Sequence, residues 1–111
     1  GFGYKGKISF PLAKIPSSKP TKTFEDVTTQ NQAIFYRLAG DVNPLHIDPE
    51  MASMGGFDKP ILHGLCTYGI CARNIVTGLL GGDVNKLKKI SCRFTSHVFP
   101  GETLVINTWK E

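Results

Sequence analysis

Several features that this sequence lacks narrow the class of protein before any motif is considered. No apolar run approaches the ~20 residues that a membrane-spanning helix needs. Its three cysteines form no C-x-x-C pair, and an odd number without framework spacing predicts free thiols in a reducing compartment. No internal repeat or low-complexity segment is visible, and the composition, 41% hydrophobic and 20% charged, is typical of globular proteins. A length of 111 residues then suits one domain with a modest core.

The first residues lack the features of a natural start. There is no initiating Met and no signal peptide, so we expect a processed or excised boundary. Residues 1–6 spell G-x-G-x-x-G, but nothing precedes them and residues 7–11 do not open a helix, so we reject a dinucleotide site. Prolines and serines then predict an extended inter-domain linker. We therefore divide the chain into a lead-in and linker, 1–21, and a domain, 22–111.

Positive charge exceeds negative charge only mildly. The net charge is +4, no nucleic-acid-binding motif accompanies it, and no nucleic-acid partner is predicted. The densest basic group consists of Lys86, Lys88, Lys89 and Arg93. It has two interpretations, a solvated entrance to a strand or a surface that attracts the phosphates of a coenzyme A tail.

Periodicity predicts both helices and strands. Short strands are predicted at residues 23–27, 89–95 and 103–109, where apolar residues alternate with polar ones or β-formers cluster. A helix capped by Thr28 or Thr29 should end at Gly40, and a short one should run from Pro49 to Ser53 after an Asp48 cap. The long apolar stretch 65–79 predicts a helix buried nearly all round.

The stretch from Tyr36 to His46 carries the strongest chemical signal. Gly40 suits a helix C-cap, and Asn43-Pro44 predicts a turn, because proline moves the preceding residue out of the helical region. A carboxylate, Asp41, and an imidazole, His46, therefore lie at the two ends of a short, stiff loop, where they can flank one water molecule. In the simpler interpretation, Asp41 only binds loop amides and His46 is a core histidine.

Two motifs then resemble a known family. Residues 36–52 read Y-x-L-A-G-D-x-N-P-L-H-x-x-x-x-x-A, and residues 56–65 read G-F-D-K-P-I-L-H-G-L. Both are similar to the type-2, (R)-specific enoyl-CoA hydratases, which are MaoC-like dehydratases, and the resemblance extends to the hydratase region of the peroxisomal multifunctional enzymes of β-oxidation. It covers about Thr28 to Lys110.

The resemblance implies an α+β hot-dog fold, in which a curved antiparallel sheet wraps a long central helix. The family continues with further strands beyond the point where this sequence stops. We therefore expect a domain that is incomplete at its C-terminus, either as a fragment or as a chain completed by another chain.

The resemblance also implies an activity, the reversible hydration of trans-2-enoyl-CoA to (R)-3-hydroxyacyl-CoA by a hydro-lyase of fatty acid β-oxidation. Asp41 and His46 would be the acid/base pair, Asn43 would orient them or the water, and Gly64 would donate its N–H to the thioester oxygen. An unpaired amide in the first turn of a helix is an independent physical reason for the last assignment. The implied substrate-binding residues are Asp41, Val42, Asn43, Pro44, Leu45, His46, Gly64 and Phe94.

Alternatives and partners follow from the same comparison. A non-catalytic hot-dog module that binds acyl chains or supports oligomers stays open, as does a 3-hydroxyacyl carrier protein dehydratase. We predict no cofactor beyond the CoA of the substrate, and a homodimer or a pseudo-dimer with a second hot-dog domain. The resemblance suggests the peroxisome, with the cytoplasm as the alternative.

A metal site is not predicted. His46, Asp48 and His63 have the residue types of a metal site but no established ligand spacing, and His63 is interpreted as the anchor of a loop.

Overall fold

A computed structural model describes residues 13–110, so the rejected glycine motif at residues 1–6 lies outside it. The elements in chain order are strand β1 (Lys22–Val27), helices α1 (Gln32–Arg37), α2 (Pro49–Met54) and α3 (Gly64–Leu79), and strand β2 (Thr103–Thr108). Short 3-10 turns occupy Pro44–His46 and Val84–Lys86. None of the helices within 13–110 has the length and apolar character needed to cross a bilayer.

The two strands form an antiparallel pair at one side of α3. Lys22 lies opposite Thr108 and Val27 opposite Thr103. Alternate residues face inward, and Phe24 of β1 lies opposite Ile106 of β2 on the more buried face. This alternation is what a strand with one covered face requires. The strands predicted at residues 23–27 and 103–109 are confirmed.

The strand predicted at residues 89–95 is wrong. Within residues 13–110 the only ladder joins β1 to β2, and this segment pairs with neither. The Tyr68 hydroxyl donates to the Ile90 carbonyl of this segment at 3.1 Å, and just beyond the segment the Leu62 amide donates to the Val98 carbonyl at 2.7 Å. Alternation in sequence describes a strand's faces, but a strand also needs a partner for its amides.

Helix α3 is partly covered, and most of its side chains are half-buried. Near its C-terminal end Gly78 contacts the Phe24 ring so closely that a Cβ there would overlap the ring. One turn earlier Arg73 and Asn74 both donate to the Asp26 carboxylate. At the other end Leu65 is 62% exposed. The prediction of a helix buried nearly all round was therefore wrong, because positions 65, 69, 73 and 77 form an exposed stripe along it.

Helix α1 begins later than predicted, at Gln32 after Asn31, rather than after Thr28 or Thr29. Thr28 is only 2% exposed, and its hydroxyl donates to the Glu102 carbonyl at 2.6 Å and accepts from the Gly101 amide at 3.0 Å. Its side chain is thus used to tie the end of β1 to the turn before β2. The small core nearby contains Ala33, Leu62 and Cys66.

Candidate active site

The loop after α1 is shaped by short-range hydrogen bonds. The chain turns at Gly40, whose φ of 116° favours glycine. The Asn43 amide then donates to Asp41 Oδ1 at 3.2 Å, and the Leu45 amide donates to Asn43 Oδ1 at 3.1 Å. Arg37 fixes the middle of the loop by donating to the Val42 carbonyl at 2.7 Å. The Asp41 carboxylate is therefore oriented by the backbone amide of Asn43, while the side chain of Asn43 caps the next turn.

His46 ends that turn with its ring fixed by one backbone contact. Its Nδ1 lies 2.7 Å from the Ile61 carbonyl oxygen. A carbonyl can only accept, so the contact places a proton on Nδ1 and leaves Nε2 as an acceptor in the neutral ring. A neutral imidazole with a free Nε2 is the form that can take a proton from water.

Asp41, His46 and a third residue, His63, come together. Each offers one oxygen or nitrogen atom, and these three atoms all lie within 4.8 Å of one another. Two partners of a single water molecule, each at a hydrogen-bond distance of about 2.8 Å, have a separation of this order. The arrangement therefore has the dimensions in which one water can bridge the carboxylate and the imidazole.

His63 is the most deeply buried member of this group. It is 2% exposed, and among the described residues neither ring nitrogen has a hydrogen-bond partner of good geometry. Its ring stacks on that of His46, with centroids 3.8 Å apart and planes inclined by 28°, and lies 4.6 Å from the Tyr36 ring. Burial, followed by the nearby charge of His46, lowers the pKa of His63, although the backbone and carboxylate of Asp41 act in the opposite direction.

The same stacking is unfavourable for a shared metal ion. Metal–nitrogen bonds to histidine are about 2.0–2.1 Å long and lie along the ring lone pair, in the ring plane. Because the planes of His46 and His63 are stacked rather than convergent, an ion at that distance from both would lie well outside each plane. Asp48, the third residue considered from the sequence, instead caps α2 by accepting from the amides of Glu50 and Met51.

Gly64 directly follows His63 and opens α3. No acceptor among residues 13–110 takes its amide N–H. A Cβ at this position would lie 3.1 Å from the Phe94 ring. Gly64 and Phe94 together border a cavity of about 350 Å³, which is also lined by Ile61, Leu62, Thr67, Ser96, His97 and Val98. An unpaired amide at the positive end of a helix is thus placed at an apolar cavity.

The remaining predicted binding residues are less enclosed. Val42 is 63% exposed, Pro44 is also exposed, and neither borders this cavity. Leu45 is half-buried and packs towards Gly55. His46 borders a second cavity of about 190 Å³ rather than the first. His63, which lies in the group with Asp41 and His46, is the residue directly before Gly64 in the chain.

The cysteines do not form a second site. All three are free thiols. Burial raises the pKa of Cys66 and of Cys71, so both stay protonated near neutral pH. Since the thiolate is the reactive form, neither has the character of a nucleophile.

Sequence reasoning missed the placement of His63 and of the segment that completes the cavity. Ser96 and His97 line the cavity only because of the way residues 88–98 lie over α3, and the sequence carries no local signal for that placement. A signal did exist for His63. It occupies the N-cap of α3 without a side-chain capping bond, although Ser, Thr, Asp and Asn are preferred there.

Comparison with known proteins decides the family. Residues 12–111 match the model of the MaoC like domain. This chain belongs to the MaoC-like domain family. It is 48% identical over its whole length to mouse peroxisomal multifunctional enzyme type 2, and 50% identical over 99% of its length to a probable enoyl-CoA hydratase 2 of Dictyostelium discoideum. It spans only 15% and 38% of those two proteins.

Solved structures give the same fold. The full-length peroxisomal multifunctional enzyme type 2 of Drosophila melanogaster superposes with a TM-score of 0.83 at 38% identity, over 98% of this chain and 20% of that one. A MaoC-like dehydratase of Phytophthora capsici gives 0.83 at 44% identity, over 98% and 39%. The predicted α+β hot-dog fold, with a central helix and an antiparallel sheet, is thereby confirmed.

Proposed function

We propose that this MaoC-like domain hydrates trans-2-enoyl-CoA to (R)-3-hydroxyacyl-CoA as part of a type-2 enoyl-CoA hydratase. The observation that carries the proposal is the grouping of one atom each of the Asp41 carboxylate and the His46 and His63 rings within 4.8 Å, with the unpaired Gly64 amide directly after His63 in the chain. Relatives named enoyl-CoA hydratase 2 in Dictyostelium and Arabidopsis, each 50% identical to this chain, support the choice of substrate.

The chemistry follows from the geometry. Water held by Asp41 and His46 loses a proton as its oxygen attacks the β-carbon of the enoyl thioester, and the pair returns a proton to the α-carbon. Charge develops meanwhile on the thioester oxygen, where the Gly64 N–H at the positive end of α3 would stabilise it. No oxidation state changes in this addition, so the reaction needs no cofactor besides the CoA that the substrate carries.

A direct assay tests the proposal. The purified protein is given trans-2-enoyl-CoA, loss of the conjugated thioester absorbance is followed, and the product is resolved on a chiral column. We expect the (R)-3-hydroxyacyl-CoA, and chelator treatment should leave the rate unchanged. Formation of the (S) product would contradict the assignment. So would a folded wild-type protein that hydrates no substrate and is as inactive as its Asp41→Asn variant. The same acyl group on carrier protein, assayed in parallel, distinguishes the dehydratase alternative.

We also infer that a second hot-dog domain covers the open side of α3, as a homodimer or a pseudo-dimer. Leu65 of α3 is 62% exposed, and Phe35 and Ile34 of α1 are each 61% exposed. Such apolar exposure is typical of surfaces that pack against a partner. Sedimentation equilibrium should give twice the monomer mass for the homodimer, whereas a pseudo-dimer would sediment as one chain that contains two such domains.

For localisation we propose the peroxisome. Relatives from mouse and Arabidopsis carry that compartment in their names, whereas the 48% identical 3-hydroxyacyl-thioester dehydratase Y comes from a bacterium. Microscopy of the tagged protein beside a peroxisomal marker tests this, and a diffuse signal would favour the cytoplasm.

A further inference from the structure

We propose that His63 is a positioning residue, a flat plate against which the His46 ring is held in its reactive orientation. The proposal rests on the proposed function for its kinetic consequence, but not for its structural content. It concerns a side chain to which the sequence assigned only the anchoring of a loop.

The first observation is that the His46 ring has few other restraints. One backbone contact, from Nδ1 to the Ile61 carbonyl at 2.7 Å, fixes one point of the ring. A single hydrogen bond still permits the ring plane to tilt through small changes of the side-chain torsions. The stacked ring of His63, 3.8 Å away between centroids, restricts that tilt. The bond and the stack together fix the orientation of the ring beside Asp41.

The second observation is that His63 itself cannot move easily. It is 2% exposed, and its ring contacts those of His46 and Tyr36, with centroids 3.8 and 4.6 Å away. Its backbone is also fixed, because its carbonyl accepts from the Cys66 amide at 3.0 Å in the first turn of α3. Because the backbone of His63 is fixed at the helix terminus, its ring can hold the stacked His46 ring in one orientation.

The third observation is that the chain forgoes a capping bond to place this ring. His63 is the N-cap of α3, and its side chain makes no capping hydrogen bond. A Ser or Asp there would supply a side-chain acceptor for an amide of the first helical turn. Departures from a local preference tend to occur at functional sites. Since His63 also precedes Gly64, one residue sets both the orientation of the acid/base imidazole and the start of the helix that presents the amide.

Two variants separate the plate from its nitrogens. His63→Phe keeps a flat ring and removes both nitrogens, whereas His63→Leu removes the ring and keeps an apolar side chain. We expect His63→Leu to lower kcat by roughly tenfold to a hundredfold with little change in KM, because misplacing a catalytic group costs rate rather than binding. His63→Phe should retain most of kcat. Thr28→Val is the matched control, since Thr28 is equally buried at 2% exposed but lies outside the acid/base group.

A spectroscopic readout tests the stack independently of activity. In protein labelled with ¹⁵N at histidine, the ring protons of His46 should be shifted upfield by the stacked ring in the wild type and in His63→Phe, and should lose that shift in His63→Leu. If His63→Leu does not fold, the wild type and His63→Phe still decide, because absence of the upfield shift in either one overturns the stack.

The kinetic outcomes are equally decisive. Full kcat in folded His63→Leu would overturn the positioning role, and so would a loss in His63→Phe as large as that in His63→Leu, which would assign the role to the nitrogens. A loss of kcat in Thr28→Val equal to that in His63→Leu would reduce the effect to stability. If the wild type shows the upfield shift but hydrates no enoyl-CoA, the proposed function fails and the placement of the ring stands.

Discussion

The site is built from two segments that are held in different ways. Residues 40–48 form a loop with several hydrogen bonds between near neighbours, including those from the amides of Asn43 and Leu45. Residues 88–98 lie across α3 on scattered contacts, such as the one from Tyr68 to the Ile90 carbonyl. The first segment carries the proposed acid/base pair, and the second supplies half of the residues that line the cavity, Phe94 among them.

This difference matches what each segment has to do. Proton transfer needs groups held within a fraction of an ångström, and here short-range bonds orient Asp41 while the Ile61 carbonyl and the His63 ring hold His46. The acyl chain of the proposed substrate would vary in length and shape, and a wall outside the sheet could adjust to it. We therefore expect substitutions in residues 40–48 to affect turnover, and substitutions in residues 88–98 to affect substrate binding and preference.

The largest effect is expected at Asp41. Asp41→Asn removes the carboxylate but keeps an oxygen that the Asn43 amide can still bond. We expect kcat to fall by about 10²- to 10⁴-fold, the usual contribution of a general acid or base, with a smaller change in KM. Steady-state hydration kinetics measure both. Near-normal turnover would assign the carboxylate to loop structure alone.

Gly64→Val should follow closely. The new side chain would meet the Phe94 ring, which is 3.1 Å from the position of a Cβ, and would block the approach of the thioester to the amide. Losing one oxyanion donor costs about 10²- to 10³-fold in kcat. Circular dichroism on the same sample should show α3 intact, since a β-branched residue in a helix costs less than ~1 kcal/mol. A folded and fully active variant would place the oxyanion elsewhere.

Phe94→Ala tests the other segment. Phe94 is 58% exposed, so the domain should tolerate its loss. An aromatic contact is worth about 0.5–1.5 kcal/mol, which predicts a rise in KM of roughly two- to tenfold with kcat nearly unchanged. Kinetics with enoyl-CoA substrates of several lengths measure this. A fall in kcat as large as that of Asp41→Asn would remove the distinction between the two segments.

The smallest effect concerns stability and pH. The pKa of His63 is lowered in the folded protein from its ordinary 6.5, through burial first and the charge of His46 second. Just below 6.5 the unfolded chain therefore binds more protons than the folded one, so stability rises with pH in this window. We expect Tm to fall as pH drops through 6.5, and to fall less in His63→Phe. Thermal melts at several pH values measure Tm for both proteins. An equal change of Tm with pH in the wild type and in His63→Phe would contradict this.

The sequence predicted well the parts of the site that depend on near neighbours. Asn43-Pro44 and Asp48-Pro49 each specify a turn or a cap within a few residues, and the loop and α2 follow them. Gly40 marks a turn but not the predicted end of the helix, since α1 already ends at Arg37 with Leu38 as its C-cap. It predicted poorly what depends on distant partners. The stack of His63 on His46 joins two elements, the segment 89–95 lacks a pairing strand, and the exposure of Leu65 depends on how far the sheet extends over α3.

The pairing of β1 with β2 also determines when the domain can be completed during synthesis. Thr23 and Asn107, which are bonded across the strands, lie 84 positions apart. The turns of residues 40–48 are closed by local hydrogen bonds and can form as soon as they leave the ribosome, whereas contacts of such long range form slowly and late. The pairing of β1 with β2 has to wait until Thr108 has emerged. We therefore expect nascent chains that end before β2 to carry formed turns at residues 40–48 and an α3 without this strand pair against it.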